Sequence, residues 1–140
     1  MNRSFRLAGL LRLRALQEEQ AAATLALANA DAKRAGEHHQ ETRNVMAGTL
    51  FPDHGDENQW RAAVADRAAM ASLVGDAAIA VQVATRRSEL AAADWTEART
   101  SVATLDKLAD RHDVAVKAED ERAEQLVLDE AASRRHQEDR

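Results

Sequence analysis

A single proline, Pro52, stands in this chain, and it lies between two glycines in the stretch AGTLFPDHGDENQW, residues 47–60. Proline cannot donate a backbone hydrogen bond, and glycine visits backbone angles that other residues avoid. Gly48, Pro52 and Gly55 therefore place one break over residues 48–56. Elsewhere Ala, Leu, Glu, Arg and Gln dominate, all good helix formers. Asp56 and Gln59 have the spacing of a capping box, so helix is expected to resume at residue 57. Ser4 reads as the N-cap of a first helix over 4–47, and the second runs over 57–136.

Apolar residues recur in both segments at alternating steps of four and three. The first stripe is Leu7, Leu11, Arg14, Glu18, Ala21, Leu25, Ala28, Ala32, Ala35, His39, Thr42 and Met46. Such spacing makes the narrow seam of a coiled coil rather than a broad core face. Leu10, Leu13, Leu16 and Leu27 lie off it and form a second stripe for some other contact. The second segment reads Trp60, Val64, Arg67, Ala71, Val74, Ala78, Val81, Thr85, Ser88, Ala92, Trp95, Arg99 and Val102, then more sparsely Leu105, Leu108, His112, Ala115 and Leu126. Trp60 and Trp95 share a face if the helix is unbroken. An ~80-residue helix would reach about 120 Å, so a kink or a short tip helix is expected at Gly75, the weakest helix former within it. The expected fold is all-α: one domain, an elongated antiparallel two-helix coiled-coil hairpin.

Composition agrees with a thin core. Of 140 residues, 32 are alanine, and Phe5, Phe51, Trp60 and Trp95 are the only aromatics. With no cysteine there is neither a disulfide framework nor thiolate chemistry. The net charge of −5 is unevenly spread. Residues 1–17 carry Arg3, Arg6, Arg12 and Arg14 without an acid; residues 119–130 carry Glu119, Asp120, Glu121, Glu124, Asp129 and Glu130 against Arg122 alone. Such a balance argues against nucleic-acid binding, which needs a basic face free of acids. No stretch is read as approaching the ~20 apolar residues of a membrane span. The early arginines interrupt any secretory signal, although an acid-free, Arg-rich start also has the look of a mitochondrial presequence.

No motif carries chemistry. His38 and His39 in GEHHQE, residues 36–41, are adjacent, so on a helix they point about 100° apart and do not share one metal ion. DHGDE, residues 53–57, lacks the alternating oxygen ligands of a calcium loop and reads as a turn with a cap. Glu18–Glu19 and Asp129–Glu130 are carboxylate pairs on helix, without the pocket a general acid needs. The reading is of no catalytic residue, no metal site and no cofactor. An amphipathic start with Phe5, Leu7, Leu10, Leu11, Leu13 and Leu16 among arginines also suits a membrane surface.

The two ends resemble a known family. FRLAGLLRLRALQEEQAAATLALANA, Phe5 to Ala30, is similar to the opening of the flagellar export protein FliJ family at Phe5, Arg6, Leu7, Leu10, Leu11, Leu13, Arg14, Glu18, Glu19, Leu25 and Ala26. LDKLADRHDVAVKAEDERAEQLVLDEAASRR, Leu105 to Arg135, resembles the family's closing helix at Leu105, Lys107, Leu108, Glu124, Gln125, Leu128, Asp129 and Glu130. The middle, with Phe51-Pro52 and the alanine-rich 60–80 segment, matches no family pattern.

The resemblance implies a non-enzymatic stalk and regulator of flagellar type III export, similar to the central stalk of rotary ATPases. Its implied partners are the hexameric export ATPase, the cytoplasmic domain of the export-gate membrane protein, and free export chaperones. Its implied place is cytoplasmic, peripheral to the membrane at the flagellar base. The partner-binding residues it implies are Phe5, Leu7, Leu10, Leu11, Leu13, Arg14, Gln125, Leu128, Asp129 and Glu130, with the terminal ends facing the ATPase and the tip facing the gate. A virulence-secretion stalk, a generic coiled-coil spacer or adaptor, and a membrane-surface helical protein stay open beside it.

Overall fold

The computed structural model describes residues 4–138, with side chains through His136. Two helices make up the fold, α1 (Ala8–Gly48) and α2 (Glu57–Glu138), and no strand occurs among the described residues. The chain divides into a terminal unit, Met1–Glu18 with Ala98–Arg140, and a loop unit, Glu19–Glu97. Each unit contains a segment of both helices, paired as the arms of a hairpin.

In the loop unit the pairing is antiparallel. The Ser88 hydroxyl donates to Asn29 Oδ1. Nearer the loop, Thr49 Oγ1 lies 3.3 Å from Met70 Sδ, and Arg67 Nη1 donates to the Thr49 carbonyl at 3.3 Å. The first seam follows the sequence reading closely: Ala21, Leu25, Ala28, Ala32, Ala35, His39, Thr42 and Met46 are all half-buried. Opposite them, α2 presents Ala63, Arg67, Met70, Val74, Ala77, Val81, Ala84, Ser88, Ala91 and Trp95. The deepest of these are alanines, Ala77 at 4% exposure and Ala91 at 6%. A methyl group is all that separates the helices there, which favours the short end of interaxial distances, about 8 Å.

This second seam shifts the expected one at alternate positions, although Ala78 and Ala92 of that expectation are also half-buried. Arg67, Val74, Val81, Ser88 and Trp95 lie on it as expected. The alternate positions are Ala63, Met70, Ala77, Ala84 and Ala91, each one residue before the expected Val64, Ala71, Ala78, Thr85 and Ala92. Where alanines are adjacent, as at 77–78 and 91–92, hydropathy cannot choose between steps of three and four. Packing chooses, and Val64 and Thr85 are left exposed.

The loop closes with the expected capping box. Gln59 N donates to Asp56 Oδ1 at 2.8 Å, and Asp56 N donates to Gln59 Oε1 at 3.0 Å. Gly55 makes room for it, since a Cβ there would sit 2.5 Å from Gln59 Oε1. Trp60 does not join the seam: α1 has ended, and its partner is the Phe51 ring, 4.9 Å away. The Arg67 guanidinium also lies over the Phe51 ring, 5.5 Å from its centroid.

Two further expectations are corrected. No separate tip helix forms at Gly75, and α2 is a single α-helix through that position. One glycine costs about 1 kcal/mol, a small penalty beside seam contacts on Val74 and Ala77. The helix is also closer to membrane-span composition than the sequence reading allowed. It contains an 18-residue window of mean hydropathy 1.5, of which 6% is buried. Leu73, Ile79, Val83 and Leu90 contribute exposed apolar surface to α2.

In the terminal unit, Leu11 and Glu18 of α1 are half-buried, whereas Leu7 and Arg14 are exposed. Ala98, Val102, Leu105, Ala109, His112 and Val116 of α2 continue the four-three spacing, with Leu105 at 8% exposure. The start of α1 is later than expected. Residues 4–7 form a bend and turn, closed by Ala8 N donating to the Phe5 carbonyl at 3.1 Å. Phe5 instead turns its ring to His112, with centroids 5.7 Å apart.

Leu105→Ala should cost about 2–4 kcal/mol by urea denaturation, whereas the exposed Leu126→Ala should stay within about 0.5 kcal/mol of the parent. Gly75→Ala should stabilise the chain by about 0.5–1 kcal/mol, because a Cβ there meets nothing within 4 Å. A lowered melting temperature for Gly75→Ala would show that the helix needs glycine at that point.

Candidate docking surface

The candidate partner-binding residues all fall in the terminal unit. Phe5 is half-buried against His112, and Leu11 is a seam residue. Both are therefore occupied within the hairpin. Leu7, Leu10 and Leu13 are 39%, 39% and 50% exposed, and Leu16 continues them at 58%. Arg14 is exposed and donates to Gln17 Oε1 at 3.0 Å. Leu10, Leu13 and Leu16 face outward as their off-seam spacing anticipates, whereas Leu7 and Arg14, expected on the first seam, are exposed as well.

The closing block has a different character. From residue 121 to 136 every side chain is exposed. Gln125 Nε2 donates to Asp129 Oδ1 at 3.1 Å, one turn along the helix. Glu130 accepts from Arg134, also one turn along. These exposed bonds orient the side chains but add little stability. Leu126, Val127 and Leu128 are 70%, 66% and 64% exposed, three consecutive apolar residues distributed around the helix. Ala123, Glu124, Val127 and Leu128 line a shallow, mostly apolar depression.

The two blocks are separate surfaces. Phe5 sits level with His112, 13 residues before Gln125, and 13 residues of helix span about 20 Å. The described arginines Arg6, Arg12 and Arg14 are thus beside the middle of the terminal unit, not beside Gln125, Asp129 and Glu130. Neither block encloses a reaction site. Among the described residues no group of three His, Cys, Asp or Glu side chains converges. His38 and His39 diverge, with His39 on the seam and His38 exposed.

The model of the flagellar FliJ protein family matches residues 3–140. The chain belongs to the FliJ family. No curated protein and no solved structure matches it. The family match extends through the loop and the alanine-rich middle, where the sequence reading found no familiar pattern. It supports a role in flagellar protein export in general, and FliJ is not known as a family of enzymes.

Two features escaped the sequence reading. His112 Nδ1 is buried and has no hydrogen-bond partner, lying 3.6 Å from Asp113 Oδ1. In the loop unit, a groove runs between Leu27 and Ala28 of α1 and Ala84, Leu90 and Ala91 of α2. Leu27 was flagged as off-seam, but its groove partner Leu90 carried no comparable signal. Phe5→Ala should accelerate amide exchange at Ala8 and Leu11 about tenfold by releasing the opening turn, with no change at Ala28 or Ala35. Equal acceleration along all of α1 would mean that Phe5 supports the whole pairing.

Proposed function

We propose that this chain is a non-enzymatic stalk and regulator of the flagellar export ATPase, acting at the cytoplasmic face of the membrane at the flagellar base. The observation that carries the reading is a FliJ match over residues 3–140 in a chain whose closing helix stands exposed from residue 121 to 136. The exposed surfaces of the two terminal blocks support recognition as its mode of action. Leu7, Leu10, Leu13 and Arg14 offer one strip to the ATPase ring, and Gln125, Leu128, Asp129 and Glu130 offer another. Phe5 and Leu11 serve by holding the opening of α1 in place. The exposed loop residues Leu50 and Phe51, with Trp60 in the first turn of α2, are suited to the export gate, and export chaperones are further partners.

Exposed charges contribute little to folding, so their reversal isolates recognition from stability. Asp129→Lys with Glu130→Lys should lower stimulation of the cognate export ATPase severalfold with unchanged helix content. A chain ending at Ala118 should lose stimulation altogether. Full stimulation by the shortened chain would move the docking site to the loop unit. No stimulation by the intact chain would leave a coiled-coil spacer as the better reading.

A further inference from the structure

Among the described residues nothing covers the α2 segment over residues 121–136, where every side chain is exposed. The uncovered end of a long helix gains from a partner for its apolar face, since most helical stability comes from packing. That face carries Ala123, Val127 and Leu128 with Glu124 among them, and Ala131 one turn on. The charges around it are arranged in blocks. Before the apolar centre, residues 119–124 hold Glu119, Asp120, Glu121 and Glu124 against Arg122, so four acids less one arginine gives −3. After it come Arg134, Arg135 and His136. Asp129 and Glu130 lie next to the centre, and they bond to Gln125 and Arg134 within the helix.

We propose that this segment is a self-pairing surface, on which two copies of the chain join antiparallel about Val127 and Leu128. A two-fold axis there sets the acidic block of each copy against the Arg134–His136 block of the other. Asp129 lies about 200° around the helix from Val127 and points away from the contact, and Glu130 at its flank falls level with Gln125 of the other copy, where no like charge opposes it. A parallel pairing would align each acid with its own copy. Self-complementarity about a two-fold axis is the mark of an isologous contact. A lipid surface suits the segment poorly, because the acidic block is repelled by anionic headgroups. The contact is small for a stable dimer, so association belongs in the micromolar range or weaker. This inference goes beyond the docking reading and does not rest on it, since it concerns the chain alone.

Sedimentation equilibrium of the full chain across the micromolar range tests it. The expected result is a concentration-dependent shift from monomer to dimer. Val127→Ser with Leu128→Ser should weaken it about tenfold or more at unchanged helix content. Two charge variants supply the decisive arm. Glu119→Lys with Glu121→Lys makes both ends of the segment basic, and Arg134→Glu with Arg135→Glu makes both acidic. Each variant alone should be monomeric, and an equimolar mixture should form a mixed dimer that high salt dissolves. A wild-type chain that stays monomeric, a dimer indifferent to Val127 and Leu128, or variants that do not rescue each other would each overturn the proposal.

Discussion

The contact of Ala77 and Ala91 with α1 is the constraint on which the loop unit depends. Small side chains at the seam let two backbones come close. The gain per residue is modest, because a buried methyl removes little apolar area from water. Stability must therefore accumulate along a long repeated interface rather than from a few large side chains. That is why the seam continues from Ala63 to Trp95 within one unit. It is also why so much larger apolar surface, including Leu27, Ile79 and Leu90, is left facing outward.

Helix ends decide the rest. α1 stops at Gly48, and the Asp56–Gln59 box starts α2 at Glu57. Because α1 has 41 residues and α2 has 82, one arm cannot cover the other. The surplus lies at the carboxyl end of α2, where exposure is complete from residue 121 to 136. A helix kept there without cover presents leucine and carboxylate together. Ring docking and self-pairing would draw on the same residues.

Much of this was determined by the sequence itself. Three punctuating residues located the only break between the described helices, the capping spacing located its far edge, and the four-three recurrence of Ala and Leu located the first seam. The two terminal blocks carried enough family character to name the FliJ family, since leucine and charge at fixed spacing survive as a pattern without any fold being known. Tertiary structure decided what neighbouring alanines leave ambiguous. At 77–78 and 91–92 both alternatives have equal hydropathy, so only contact with α1 could set the register. It also decided the fate of Trp60, which shares its heptad position with Trp95 yet stacks on Phe51 because α1 ends first. Gly75 stayed helical because packing on either side outweighs the propensity of one residue. Periodicity records which face of a helix is apolar, but the length and placement of the partner determine how far that face is covered.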